Sequence, residues 1–170
     1  MIGLPLGLLY ANAGEWLLHK YVLHGLGRNR KSFWSFHWHD HHRESRRDAM
    51  RDPGYERSVF GWHSQGKEVL ALAGLAVAHA PLFPVAPWFT GAVLYSIGRY
   101  YYVHRRSHRD PAWGREHLPW HVDHHLGPDQ DANWCVTWPL FDMVMGTHEP
   151  YVHTARETED RGRVRASTVN

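Results

Sequence analysis

Residues 67–104 read KEVLALAGLAVAHAPLFPVAPWFTGAVLYSIGRYYYVH. Val69 to Ala80 is apolar and helix-compatible. Pro81, Pro84 and Pro87 interrupt it, and Trp88 to Val103 resumes a helical apolar run that contains Arg99. Proline lacks an amide hydrogen and clashes inside a helix, so the stretch predicts a helical hairpin with its tip at the prolines. A hairpin returns the chain to the side it left, so the segments before Lys67 and after Val103 must meet at one end. Each arm is shorter than the roughly 20 apolar residues of a comfortable membrane span. The options are a thin-bilayer crossing, a dip into one leaflet, or burial as an αα-hairpin in a soluble bundle.

A second apolar stretch opens the chain. Met1 to Leu18 is apolar apart from Asn12 and Glu15. It continues through HKYVLHG until Gly25, Gly27 and the basic Arg28, Arg30 and Lys31. This predicts a helix of about a membrane span with its basic end at the C-terminus. Lys20, Arg28, Arg43, Lys67, Arg99 and Arg105 lie at or beyond the same ends of the apolar segments. If those segments enter a bilayer, the positive-inside rule makes that side cytoplasmic. Nine Trp and eight Tyr suit places where apolar and wet surroundings meet. Strand alternation is absent. The expected fold is all-α: a small membrane-embedded helical domain, an N-terminal helix plus a hairpin, with a cytoplasmic His-rich helical cap. One domain is expected over residues 1–150, with 151–170 a charged, mobile tail. Trp34 to Arg47 is expected to be helical, and Asp52-Pro53-Gly54 a turn. Basic and acidic residues nearly balance, 19 against 17, which is no nucleic-acid signature. The single cysteine, Cys135, excludes an intrachain disulfide and any multi-cysteine metal site.

The polar regions carry most of the 16 histidines. His19 and His24 form H-x4-H near the basic end of the first helix. HWHDHH supplies His37, His39, His41 and His42. His104 and His108 form H-x3-H at the end of the second hairpin arm, and HVDHH supplies His121, His124 and His125. Residues four apart share a helix face, so His104 and His108 can grip one metal, as can His121 and His125. His124 points aside, and the double histidine can thereby serve two neighbouring metals. His19 and His24 are some 140° apart around an ideal α-helix. They converge only if the helix end unwinds; otherwise they serve two sites. Because the hairpin delivers these clusters to one side, together they predict a two-metal, histidine-lined site. Imidazole suits iron, zinc, copper or nickel. No E-x-x-H occurs in either dense cluster, which disfavours the soluble di-iron carboxylate bundle. The order H-x-H-D-H-H also departs from the H-x-H-x-D-H of metallo-β-lactamase-type hydrolases, because the aspartate comes one place early.

The series H-x4-H, a double-histidine box, H-x3-H and H-x2-H-H around a hydrophobic hairpin resembles the fatty acid hydroxylase / sterol desaturase superfamily of membrane non-haem di-iron oxygenases. NWCVTWPLFDMVMGT is similar to that family's stretch after its last box, through Asn133, Pro139, Asp142 and Gly146-Thr147. The resemblance covers roughly His19 to Thr147. It implies metal ligands at His19 and His24, at His41 and His42, at His104 and His108, and at His121, His124 and His125. The second box departs from H-x2-H-H, since Trp38 stands three places before His41. Either His37 or His39 takes that role, and His37 is preferred because it lies one helical turn from His41.

The resemblance further implies two iron ions (zinc in a purified form), O2 as cosubstrate and hydroxylation of a lipid C–H bond. Fatty acyl, sterol and carotenoid substrates fit it equally, and desaturation is the alternative outcome on the same site. A non-enzymatic membrane metal-binding protein is the rival outside the enzyme class. An external electron donor such as a ferredoxin or cytochrome b5-like protein is implied, as nothing here has a nucleotide-binding fingerprint. A lipid bilayer is the expected setting, and the short chain is read as a minimal member, a fragment, or an oligomer that completes its embedding with a partner. Beyond the ligands, Asp123 could fix an imidazole tautomer. Glu15, four before His19, could face His19 or a metal. Asn133 could support a ligand or cap a helix. His63 and His117 lie near the boxes, His79 is expected near the hairpin tip, and His148 and His153 on the surface.

Overall fold

Three helices of the computed structural model start on a proline at their first turn, where the missing amide hydrogen has no partner to lose. These are α4 (Pro87–Arg109), α5 (Pro111–His117) and α6 (Pro119–Leu126). The structure describes residues 2–160. Before these helices come α1 (Gly3–Leu17), prolonged without a break by a π-wound segment, Leu18–Leu26. A second π-wound segment, His37–His42, leads into α2 (Arg43–Arg47). A short 3-10 turn at Pro53–Glu56 and α3 (Ser64–His79) come next. After α6, α7 (Leu140–Met145) ends on Gly146, which takes the left-handed conformation (φ 67°) of a helix stop. The fold is all-α, with no strand among the described residues.

α3 and α4 form the expected hairpin, joined through the proline-rich residues 80–86. α1 lies along α4. The approach is close because Gly7 has no side chain: a Cβ there would stand 2.6 Å from Phe89 O and 2.7 Å from Ala92 Cβ. α1 and α3 thus flank α4, joined at one place by Tyr10 Oη and His79 Nε2, 3.0 Å apart.

Among the described residues no helix is long and apolar enough to cross a membrane. The first segment therefore differs from the expected span. Its α-wound part has 15 residues, about 22 Å at 1.5 Å per residue, against a hydrocarbon core of about 30 Å. Beyond Leu17 the winding changes and the sequence turns to His19 and Lys20. Many large apolar side chains face outward nevertheless, among them Leu4, Leu9, Leu17, Val77, Val85 and Val144.

The interior is unusual in holding ten imidazoles. His19, His24, His37, His41, His42, His104, His108, His121, His124 and His125 are all buried. Three small apolar clusters accompany them: Trp16, Trp134 and Cys135; Met50, Val122 and Val152; and Val103, Leu118 and Val136. Val152 belongs to the region expected as a mobile tail, yet it is buried, and its amide donates to Asp123 Oδ1 at 2.6 Å. Glu157 accepts from Arg115 at 2.6 Å. Residues 151–160 are therefore docked on the body, while the rest of the expected tail, 161–170, lies outside the described residues.

Candidate metal centre

The histidines gather into two sets. One ring nitrogen from each of His19, His24, His37, His42 and His124 lies within 4.8 Å of every other, and the same holds for His41, His104, His108 and His125. His121 borders the second set, its Nε2 3.1 Å from His108 Nε2.

Local winding decides which histidine joins which set. On α4, His104 and His108 are one α-turn apart and share a face, as expected. On α6, His125 joins the second set with His121 beside it, while His124 turns to the first. His19 and His24 converge through π winding rather than unwinding: its i→i+5 hydrogen bonds bring residues five apart into line. The same winding over His37–His42 aligns His37 with His42. His37 therefore enters the first set with His42, not the set of His41, whose face an α-helix would have given it. His39 lies outside both sets, with Nε2 2.9 Å from Arg28 O.

Contacts behind the rings fix which nitrogen faces inward. Nδ1 of His19 donates to Trp134 O at 2.5 Å and Nδ1 of His124 to Ala132 O at 2.6 Å. Nδ1 of His42 lies 3.2 Å from Gln130 Oε1. In the second set His41 Nδ1 donates to Asp52 Oδ2 (2.9 Å), His104 Nδ1 to Glu68 Oε1 (2.8 Å) and His108 Nδ1 to Met50 O (2.8 Å). A neutral imidazole that donates through Nδ1 presents a bare lone pair at Nε2. The Nε2 atoms of His24, His42 and His124 form a triangle with all three sides 3.1 Å. Two inward lone pairs at such a distance, as at His42 and His124, repel unless a cation lies between them. With metal–nitrogen bonds of about 2.1 Å, ligands at 90° stand about 3.0 Å apart and tetrahedral ones about 3.4 Å. The triangle fits the face of a metal's coordination sphere. Nε2 of His41, Nε2 of His104 and both ring nitrogens of His125 have no hydrogen-bond partner although buried. Buried polar atoms are rarely left so, and metal binding would satisfy them.

Electrostatics agree. Burial, reinforced by neighbouring imidazoles, holds His19, His37, His41, His42, His108, His121 and His125 well below the usual imidazole range. Burial lowers His124 to about 4. These rings are neutral near pH 7, the form that binds metal.

The remaining candidates have other tasks. Asp123 touches no ligand imidazole. It lies two residues from both His121 and His125, on the far side of α6, where its carboxylate accepts the Val152 amide. Glu15 reaches neither His19 nor a metal set. It accepts from the amides of Val136 and Thr137 and from Thr137 Oγ1 (2.6 Å), fastening α1 to residues 136–137. Asn133, with positive φ (57°), pairs with both backbone groups of Glu149. Asp142 accepts from the amides of Trp134 and Cys135, both 2.8 Å, and so holds the strand of chain whose Trp134 carbonyl meets His19. His63 caps α3, His117 stacks on Trp113, and His148 Nδ1 lies 3.0 Å from Asn133 Oδ1.

Sequence reasoning passed over the carboxylates Asp52 and Glu68. Glu68 also accepts from Tyr55 Oη, which lies beneath His108 with the rings stacked. A signal existed for Glu68: counting outward from Pro84, it sits level with Tyr100, one turn from His104 across the hairpin.

An apolar cavity of about 550 Å³ lies between α1, α3 and α4. Leu18, Val22, Leu72, Leu75, Val93 and Ile97 contribute to its wall, and it reaches His19 and His37. Tyr10 and His79 also line it, and its lining includes no lysine or arginine. The arrangement places two buried imidazole sets, each able to hold a metal ion, beside a space that suits an apolar molecule and reaches the first set. No protein-family model matches the chain, nor does any curated protein or solved structure compared with it.

Proposed function

We propose that this chain is an O2-dependent, non-haem di-iron oxygenase that hydroxylates a C–H bond of a lipid, a fatty acyl chain, sterol or carotenoid, using electrons from an external donor such as a ferredoxin or cytochrome b5-like protein. The observation that carries the reading is the pair of buried imidazole sets with an apolar cavity reaching His19 and His37. The likeness of the histidine boxes to the fatty acid hydroxylase / sterol desaturase superfamily supports the choice of iron over zinc.

When bound, two irons would supply the redox chemistry by which dioxygen oxidises an unactivated C–H bond. The chain's own residues do the rest. Asp52, Glu68 and the Trp134 and Ala132 carbonyls hold the Nδ1 protons and aim each Nε2 inward. The cavity wall keeps water from the reacting segment. Two carboxylates and no cation in that wall favour an uncharged stretch of substrate. In this reading the outward-facing leucines and valines of α1, α3 and the hairpin tip sit in one leaflet of a bilayer, with the histidine end on the cytoplasmic side, where basic residues cluster.

The test combines metal analysis with mass spectrometry of lipids from a host expressing the protein, beside a His124→Ala, His125→Ala variant. A lipid that gains one oxygen only with intact histidines is the expected result. Loss of two hydrogens instead makes the protein a desaturase. Iron-loaded protein that leaves fatty acyl lipids, sterols and carotenoids unchanged, with a competent reductase present, would sink the oxygenase reading and favour a metal-binding protein.

A further inference from the structure

We propose that the outer face of the last two turns of α4 is the docking site for an acidic one-electron carrier protein, with Arg105, Arg106 and Arg109 as its recognition residues. This rests on the oxygenase reading, which requires such a donor.

The three arginines line a polar cleft of about 430 Å³ together with Tyr101 and Tyr102. Several exposed arginines elsewhere near the histidine end pair with carboxylates: Arg28 with Asp131, Arg43 and Arg47 with Glu44, Arg51 with Glu56. Among the described residues no carboxylate lies within 4.0 Å of the guanidinium groups of Arg105, Arg106 or Arg109. The cleft also contains Glu56 and Asp110, which offset part of the arginine charge, Glu56 acting on Arg109 as well as Arg51, so that three guanidiniums face two carboxylates. Glu56 pairs with Arg51 at 2.7 Å, and Asp110 caps α5 through the Trp113 amide. Arg106 is held in place, 4.3 Å over the Trp113 ring and 3.0 Å from Tyr102 Oη. A concave set of guanidiniums in excess of its carboxylates recognises acidic groups and steers an acidic partner.

Position adds the second argument. The arginines alternate along α4 with His104 and His108. Arg105 Nε donates to Tyr55 O at 3.2 Å. The Tyr55 ring lies against His41 and His104 and stacks on His108, with ring centroids 5.3 Å apart. The cleft therefore backs directly onto the second histidine set, on the opposite side from a cavity that a substrate would fill. One electron would leave each reduced carrier and pass to a ferric ion at the histidine sets, leaving the carrier oxidised and the iron ferrous.

The probe is a plant-type [2Fe–2S] ferredoxin, which is acidic. Its binding to the full chain is titrated at low and high salt, with and without iron. Arg106→Glu/Arg109→Glu leaves Arg105 and its hold on Tyr55 in place, and Arg30→Glu/Lys31→Glu is the control for basic charge elsewhere. Expected is a loss of binding of roughly tenfold or more in the first variant, none in the control, and weakening by salt in the wild type. Anaerobic stopped-flow reduction of the iron-loaded protein by ferredoxin should slow by a similar factor, while reduction by dithionite is unchanged. Wild-type affinity in the Arg106/Arg109 variant, or no binding by the wild type, overturns the proposal. So does a variant that loses binding to anionic vesicles but not to ferredoxin, since the arginines would then serve lipid headgroups. Iron that dithionite cannot reduce would instead count against the oxygenase reading, and the binding titration would still judge the docking site.

Discussion

Behind the first histidine set stand mainly uncharged acceptors, the carbonyls of Trp134 and Ala132 and the side chain of Gln130, with one half-exposed carboxylate, Asp131, 3.5 Å from His24 Nδ1 and shared with Arg28. Behind the second stand two buried carboxylates, Asp52 on His41 and Glu68 on His104, with one carbonyl, Met50 O. The inward-facing donors are the same imidazoles, so the sets differ mainly in the buried charge at their backs: Asp52 and Glu68 are buried and hydrogen-bonded, while Asp131 is half-exposed and lies farther from its ring. A carboxylate on Nδ1 makes the ring a stronger donor. The second set should therefore hold a cation more tightly and favour its higher charge. The first depends on the shape of residues 130–134, which Asp142 pins through two amides.

The largest test of this contrast removes ligands. His124→Ala should abolish one metal, His41→Ala the other, and the pair together both, each with more than about 100-fold loss of affinity at its own set, beyond the 10–100-fold typical of residues behind a ligand. Metal stoichiometry by elemental analysis reads this out. Loss of both metals from either single substitution would mean that the sets act as one.

Acid should break both sets together in the metal-free protein. The folded-state pKa values of His19, His37, His42 and His124 in the first set, and of His41, His108 and His125 in the second, lie below the unfolded value of 6.5, with His124 falling to about 4. Between those values the unfolded chain binds more protons. Stability is complete above about pH 6.5 and lost as pH falls through the window, about 3 kcal/mol for His124 alone. Denaturant titrations from pH 7.5 to 4.5 check it, and bound metal should shift the loss to lower pH.

Charge removal separates the sets next. Glu68→Gln or Asp52→Asn should weaken metal at the second set by roughly 10–100-fold and leave the first unchanged, whereas Gln130→Ala should cost the first set less. Equal effects would erase the contrast. At the bottom of the scale, His39→Ala should shift stability by under about 0.5 kcal/mol and leave both metals bound, by thermal melting and elemental analysis.

Much of this centre was legible because it obeys α-helical spacing. The prolines announced the hairpin, His104 and His108 announced one set, and the doubled His124-His125 announced two. The pairing of His37 with His42 was hidden, since π winding leaves no mark in composition. Asp52 read as a turn residue because it is one: Oδ1 accepts from the Gly54 amide at 2.8 Å while Oδ2 takes the imidazole. The change of winding after Leu17 was hidden as well: the apolar run keeps its α winding for only 15 residues, and among the described residues no helix is long and apolar enough to cross a membrane. Val152 was underread because its charged surroundings gave no hint of the partners Met50 and Val122.

The two π-wound stretches also bear on how such a centre tolerates insertion and deletion. Each acts like a single residue slipped into an α-helix, setting the histidines on either side back into phase. Deleting Val22 would turn His19-x4-His24 into the spacing of His104-x3-His108, and an ordinary α-helix could then present the same two nitrogens. The two spacings are one device in two windings. A rule tuned to one of them would pass over its twin in the same molecule.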